Sequence, residues 1–215
     1  TSDMHRRLFN KRIFSILLAW GVNPSFVFAN DNSKVLSGEL LINQKLINGN
    51  FEDNLDNALI ETNELKSIIK VQNDFYLIRP ETKLKFISNR LSEVIKGSLH
   101  AVFSKRKEEL KIKIPYGTIG IRGTSIFVDL EPEKKLNYFC NCHGETNLYD
   151  KNGELLQTTI SKEKHKAVAL TDEGKLVKYS MNYITNLYAV RHASIFDKEM
   201  KKAGCKVENS HCVLL

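Results

Sequence analysis

The chain reads as a mainly β protein: stacked short antiparallel strands, arranged as a sandwich or a solenoid-like stack, followed by a C-terminal α-helix. Three observations predict this. Short runs alternate apolar and polar side chains and are rich in Val, Ile, Thr, Tyr and Phe, the period-two pattern of half-buried strands. Turn residues (Gly, Pro, Asn and Asp) punctuate these runs at short intervals, as in hairpin-connected all-β folds. Only near the C-terminus does the apolar spacing become helical. No repeat of fixed length is visible, which favours a sandwich or barrel-like stack over a solenoid.

Residues 34–49 form two short strands around Asn43-Gln44, with Gly38 and Gly49 at turns. Residues 51–65 are polar and acidic and read as a loop, with room for one helical turn. Residues 66–71 and 74–78 make a hairpin around Gln72-Asn73, ended by Pro80, which cannot donate to a ladder. Residues 83–87 alternate again, and 93–103 form a strand pair turning at Lys96-Gly97. The stretch 112–128, IKIPYGTIGIRGTSIFV, organises the rest. Its alternating strand is interrupted at Pro115-Tyr116-Gly117 and resumes with Ile119, Ile121 and Phe127 on one face and Thr118, Arg122 and Thr124 on the other. Gly117, Gly120 and Gly123 within it imply close approach of a neighbouring backbone. Residues 131–135 turn, 137–149 form a strand, and Asn152-Gly153 is a common hairpin turn. Residues 157–160 and 165–170 complete the β region.

From 181 to 203, Ile184, Leu187, Tyr188, Ile195 and Met200 fall at near-helical spacing, with Ser180 or Asn182 as cap. Lys198, Lys201 and Lys202 suit the C-terminal dipole and Gly204 the stop. The tail 205–215 reads as a loop. The expected organisation is therefore an export signal over 1–29, a β domain over 30–175, and a helix and cysteine-containing tail over 176–215.

Ile114, Pro115, Gly117, Gly120, Arg122, Gly123 and Thr124 resemble the core motif of the FecR domain, T-P-x-G-x-x-G-x-R-G-T before an apolar strand, with Ile114 in place of the Thr. GELLINQKLINGN (38–50), NDFYLIRPETKL (73–84) and GSLHAVF (97–103) resemble strands that precede this motif in the family. YFCNCHGETNLYD (138–150) resembles the following strand of members that carry C-x-C. The likeness covers about residues 35–170. It implies a stacked β domain that senses or binds another envelope component, with Arg122, Gly123 and Thr124 as candidate contacts.

At 215 residues, with 42% apolar and 27% charged residues, the composition is that of an ordinary soluble domain and excludes a multi-span membrane protein. Residues 1–29 supply +3 of the net +7, leaving +4 for the remainder. That is too mild, and too little interleaved with aromatics, to imply nucleic acid. HRRLFNKR (5–12) followed by an apolar segment (13–29) has the order of an export signal. Arg6, Arg7, Phe9 and Lys11 resemble a twin-arginine motif, and Val27 and Ala29 suit cleavage after Ala29. The apolar segment, broken by Asn23-Pro24, spans a bilayer poorly; the alternative is an uncleaved anchor. The best-known FecR proteins place a sigma-factor-binding domain before their single span. With so few residues ahead of this segment, the expectation is a free-standing periplasmic domain without direct sigma-factor control, touching the membrane only through its signal.

Four cysteines occur: Cys140, Cys142, Cys205 and Cys212. Cys140 and Cys142 stand two apart on one strand, so both point to one face. A bond between them is strained, because i and i+2 on a strand are roughly 6.5 Å apart at Cα. Bridges from one or both to the tail, or within it as Cys205–Cys212, are the structural reading in an oxidising compartment. The alternative is a Zn or Cu site, or a thiol-redox site, at Cys140 and Cys142. His143 faces away on a regular strand, whereas His165 on a neighbouring strand can complete the donor set. His5, His100, His192 and His211 lie in unrelated segments and read as surface or packed residues. Arg79 and Arg122 with Asp74 and Asp129 read as ion pairs within the sheet. G-x-S-x-G, P-loop, Rossmann and H-E-x-x-H motifs are missing from the sequence, and C-N-C-H is not the C-x-x-C-H of haem attachment. The expectation is a non-enzymatic sensor or interaction module without a cofactor. Export with cleavage predicts a mature amino terminus at Asn30 in an envelope fraction; Arg6→Lys with Arg7→Lys blocks export only if the twin-arginine route is used. Amino-terminal sequencing of fractionated protein reads both, and a full-length cytoplasmic product contradicts the signal.

Overall fold

The structure, a computed structural model, describes residues 33–162 and 165–178, the backbone of two strands at 205–208 and 211–214, and Lys198 and Lys201. The strands are β1 (Lys34–Ser37), β2 (Leu40–Ile42), β3 (Lys45–Ile47), β4 (Leu59–Glu61), β5 (Ser67–Val71), β6 (Asp74–Ile78), β7 (Lys83–Ser88), β8 (Leu91–Lys96) and β9 (Ser98–Val102). They continue as β10 (Leu110–Ile114), β11 (Gly117–Ile121), β12 (Ser125–Glu131), β13 (Leu136–Tyr149), β14 (Leu155–Ser161), β15 (Lys166–Thr171) and β16 (Leu176–Lys178). A separate hairpin pairs β17 (Cys205–Glu208) with β18 (His211–Leu214). The protein is mainly β, as its alternation and turn residues predict.

Strands β1 to β16 form one continuous sheet in two halves, with β13 common to both. The first half of β13 lies between β12 and β15. Its second half lies between β11 and β14. From there the path runs β12-β9-β6-β5-β1 in one direction and β11-β10-β8-β7-β4-β2-β3 in the other. A bridge between Lys34 and Asn50 brings the two ends of this path together, so the sheet is nearly closed and barrel-like. Every ladder is antiparallel except β8 with β10, which is parallel.

The expected hairpin at 66–78 is β5–β6, paired Ser67 with Ile78 through Val71 with Asp74. Other readings change because neighbours in sequence join different halves. The strand pair expected around Lys96-Gly97 is not a hairpin. Strand β8 pairs with β7 and β10, while β9 pairs with β6 and β12. Gly97, with φ +85°, makes the corner between them. The run 112–128 likewise breaks after Ile121: β10 and β11 form a hairpin, and the chain then turns at 122–124 into the other half as β12. The loop expected at 51–65 contains a short strand, β4, recruited by β2 and β7. The tail expected as a loop is the β17–β18 hairpin. The C-terminal α-helix expected over 181–203 lies outside the described residues except for Lys198 and Lys201, which are helical, as does the segment 1–29 expected to be an export signal.

The main core packs between the halves. Ile60, Ile69, Ile78, Leu84, Val94, Leu99, Ile112, Ile119, Ile121, Ile126, Val128 and Phe139 belong to it, each no more than 2% exposed. Tyr76 stands edge-on to Phe86 and Phe103 within it. The opposite face of the first half is buried too, through Ile68, Phe75, Leu77, Tyr138, Cys140 and Ala169. That two-sided burial explains why β6, Asp74–Ile78, is buried along its whole length. Asp74 there is paired with Arg106, whose Nη2 lies 2.6 and 2.5 Å from its two carboxylate oxygens. The partner is thus Arg106, and neither Arg79 nor Arg122 as the sequence suggests.

The two central glycines of the RGT stretch are constrained differently. Gly123 has φ +107°, and a Cβ there would lie 2.6 Å from the Cα of Lys105, a backbone atom that cannot swing away. At Gly120 the obstacle is the Glu109 carboxylate, held by Asn147 and Tyr149, and not backbone as the sequence implies. Gly123→Val is expected to lower stability by roughly 3 kcal/mol through strain and overpacking. Denaturant melts check this, with Gly49→Ala as reference, since its backbone is not left-handed and nothing lies within 4 Å of a Cβ there; a Gly123→Val midpoint equal to the parent's contradicts the close approach.

Candidate functional site

Cys140 and Cys142 lie on β13 where it leaves one half of the sheet for the other. The ladder with β12 pairs Asn141 with Ile126 but His143 with Ser125, so Cys142 is the extra residue of a β-bulge. On the far side, β15 pairs Cys140 with Ala167 and Asn141 with Lys166. Continuing that register places His165 beside Cys142, on the face to which both cysteines point. The two Sγ atoms are 3.8 Å apart, and the Cys140 Sγ is 3.7 Å from His165 Nδ1. All three donor atoms lie within 4.8 Å of one another. Both thiols are free; Cys140 is buried, Cys142 half-buried and His165 exposed.

Aromatic and polar groups surround the pair. Leu77, His100, Phe127 and Cys140 form one line across β6, β9, β12 and β13. His100 and Tyr138 meet the Phe127 ring at centroid distances of 6.5 and 6.0 Å, and His100 Nε2 is 3.1 Å from Ser125 Oγ. The Cys140 thiol is lowered to about 6, first because the Cys142 thiol donates to it and then because His165 and Tyr138 do so, against the opposing effect of burial. Donating to Cys140 and burial together push the Cys142 thiol up. The hydrogen bond to Cys140 raises His165. Burial, then the neighbouring thiols, raise Tyr138. The arrangement is two thiols and an imidazole in contact, with the hydrogen bonds to Cys140 favouring its thiolate: a soft, electron-rich centre able to bind a thiophilic cation or react with an electrophile.

The RGT corner supports this centre from the opposite face of β13. Thr124 is fully buried, and its Oγ1 donates to Asn141 Oδ1 at 3.1 Å. Asn141 Nδ2 donates to the carbonyls of Gly144 and Thr159, both at 2.9 Å. Thr124 therefore holds the residue between the two cysteines, while Arg122 is exposed. His143, next to the bulge, is not one of the three converging donors. Cys205 stands opposite Leu214 and Cys212 opposite Val207, two residues out of step across their hairpin; their side chains lie outside the described residues, as do Arg6, Arg7, Phe9, Lys11 and Ala29. Of the groups that sequence reading passed over, Tyr138 was recoverable as the residue two before Cys140. Ser125 and Phe127 join only through the β12 ladder, and His100 only through β9.

No family model matches the chain, and no curated protein matches it. Among solved structures it is similar to two crystal structures of a "putative anti-sigma factor" from Parabacteroides distasonis ATCC 8503, at 2.50 and 1.65 Å resolution. Each likeness has a TM-score of 0.48, at 11% and 13% identity, and covers 57% of this chain. The chain spans 59% of the length of those proteins.

Burial, with a smaller contribution from the His165 charge, lowers His100 to about 4. The folded state thus keeps His100 neutral where the unfolded chain protonates it. Unfolded chains bind the extra proton below about pH 6.5, so this contribution is intact above that pH and is lost as pH falls toward 4. The expected loss is on the order of 2–3 kcal/mol. Chemical denaturation of the parent and His100→Gln across pH 4–7 measures it; the variant should show the shallower decline, and parallel curves contradict the buried neutral imidazole.

Proposed function

We propose that this chain is an exported, non-enzymatic sensor or interaction module of the FecR-domain type, with the Cys140–Cys142–His165 cluster as its responsive centre. The observation that carries this reading is the placement of two free thiols and an imidazole on the bulge of the strand shared by both halves of the sheet. Ligation or modification of the thiols changes the bend of β13. Both halves feel that change, because β13 is the only one of β1 to β16 with ladders in each. It also reaches Arg122 through Asn141 and Thr124.

Edge strands offer the surface for a partner. Strand β14 has β13 as its ladder partner and carries Leu155 and Ile160 at 56% and 50% exposure. Strand β16 pairs with β15 and exposes Val177. Extended apolar edges of this kind accept an added strand. The recognised component is an envelope protein or another extracytoplasmic ligand, with Arg122 among the contacts.

The test is photo-crosslinking in envelope fractions from a probe placed at Ile160. A defined adduct is expected with the parent. It should weaken several-fold in Arg122→Ala, at unchanged melting temperature, and in Cys140→Ser with Cys142→Ser. An adduct indifferent to both sets of substitutions sinks the reading.

A further inference from the structure

We propose that Cys140, Cys142 and His165 form a binding site for a soft monovalent d10 cation, Cu(I), coordinated by two sulfurs and one imidazole nitrogen. This deepens the proposed function and rests on it for the identity of the responsive centre.

The geometry of the donors carries the assignment. Two metal–sulfur bonds of about 2.3 Å meeting at a tetrahedral to trigonal angle hold their sulfurs about 3.8–4.0 Å apart. The Sγ atoms of Cys140 and Cys142 are 3.8 Å apart. A metal–sulfur bond with a metal–nitrogen bond of about 2.0–2.1 Å spans about 3.5–3.8 Å. Cys140 Sγ and His165 Nδ1 are 3.7 Å apart. The third edge is within 4.8 Å, and His165 is exposed immediately before β15, where its ring can turn to close the triangle. A disulfide is the poorer use of the same atoms, since the sulfurs would have to close to about 2.05 Å across an i, i+2 pair.

The choice of ion follows from donor number and softness. Among the described residues the group comprises three donors. A zinc ion held by three protein ligands keeps a water as its fourth. Cu(I) is satisfied by three in a plane, and thiolates select it. Cys140 is buried and flanked by Tyr138 and Phe127, which limits access of water and oxygen to the bound ion. The bulge at Cys142 lets the two cysteines share one ion without distorting the ladder on either side.

The experiment uses the purified full chain, reduced and kept anaerobic. Cu(I) is titrated in competition with a chromophoric Cu(I) chelator, and Zn(II) in a parallel arm with a zinc chelator. One Cu(I) per chain is expected, with near-ultraviolet sulfur-to-copper absorption and weaker retention of Zn(II). Affinity should fall about 100-fold or more in Cys142→Ser and about 10-fold in His165→Ala, both with unchanged circular dichroism. Cys205→Ser with Cys212→Ser should leave it unchanged. Copper binding that survives loss of both Cys140 and Cys142, or disappears with the tail cysteines, overturns the site; so does tighter retention of Zn(II). If neither metal binds while both thiols react with an alkylating reagent in the folded chain, the metal site is refuted and the thiol-centred reading stands. If the thiols are inert as well, both are refuted.

Discussion

The side-chain amide of Asn141 is buried at the one place where a strand has to belong to both halves of the sheet. It accepts from Thr124 and donates to the carbonyls of Gly144 and Thr159. A buried amide left without these partners costs about 1–3 kcal/mol, so the network is worth keeping only when complete. Completing it requires the RGT corner, the end of β14 and the bend of β13 to be in place together. The near-closed form of the sheet rests on that agreement. If β13 ran straight, it could pair with β12 and β15 or with β11 and β14, but not with both sets in succession.

The same constraint builds the thiol centre. Asn141 points into the body of the fold, so its sequence neighbours Cys140 and Cys142 are directed to the other face. The bulge that redirects the strand brings Cys142 toward Cys140 instead of letting it continue in the ladder. His165 arrives because the ladder between β13 and β15 begins one residue later. A mechanical junction and a reactive cluster therefore occupy one short segment, on opposite faces. In the proposed function, this shared position is what couples the thiols to the remainder of the sheet.

Several parts of this arrangement were legible in the residues. The alternation in YFCNC puts both thiols and Tyr138 on one face, and His165 lies at the start of the next alternating run but one. The hairpin at 67–78 follows from its turn residues and continuous apolar strands. Partnership was much less legible. Gly97 and Gly123 look alike as turn glycines, and nothing local shows that each sends the chain into the other half of the sheet. Asp74 has several arginines within plausible reach along the sequence; Arg106 is its partner because the segment after β9 folds back over the end of β6.

Local alternation and turn chemistry were enough to establish a mainly β chain, most of its strands, and the shared face of Cys140 and Cys142. These depend on interactions within a few residues, where side-chain direction follows from backbone period alone. The division into halves, the parallel pairing of β8 with β10, the role of β13 in both halves and the convergence of His165, Phe127 and His100 on the thiols belong to the tertiary structure. Each depends on which strands lie side by side. That is settled by burying the apolar faces of all sixteen strands at once while satisfying their backbone hydrogen bonds, a condition that no short stretch of residues contains.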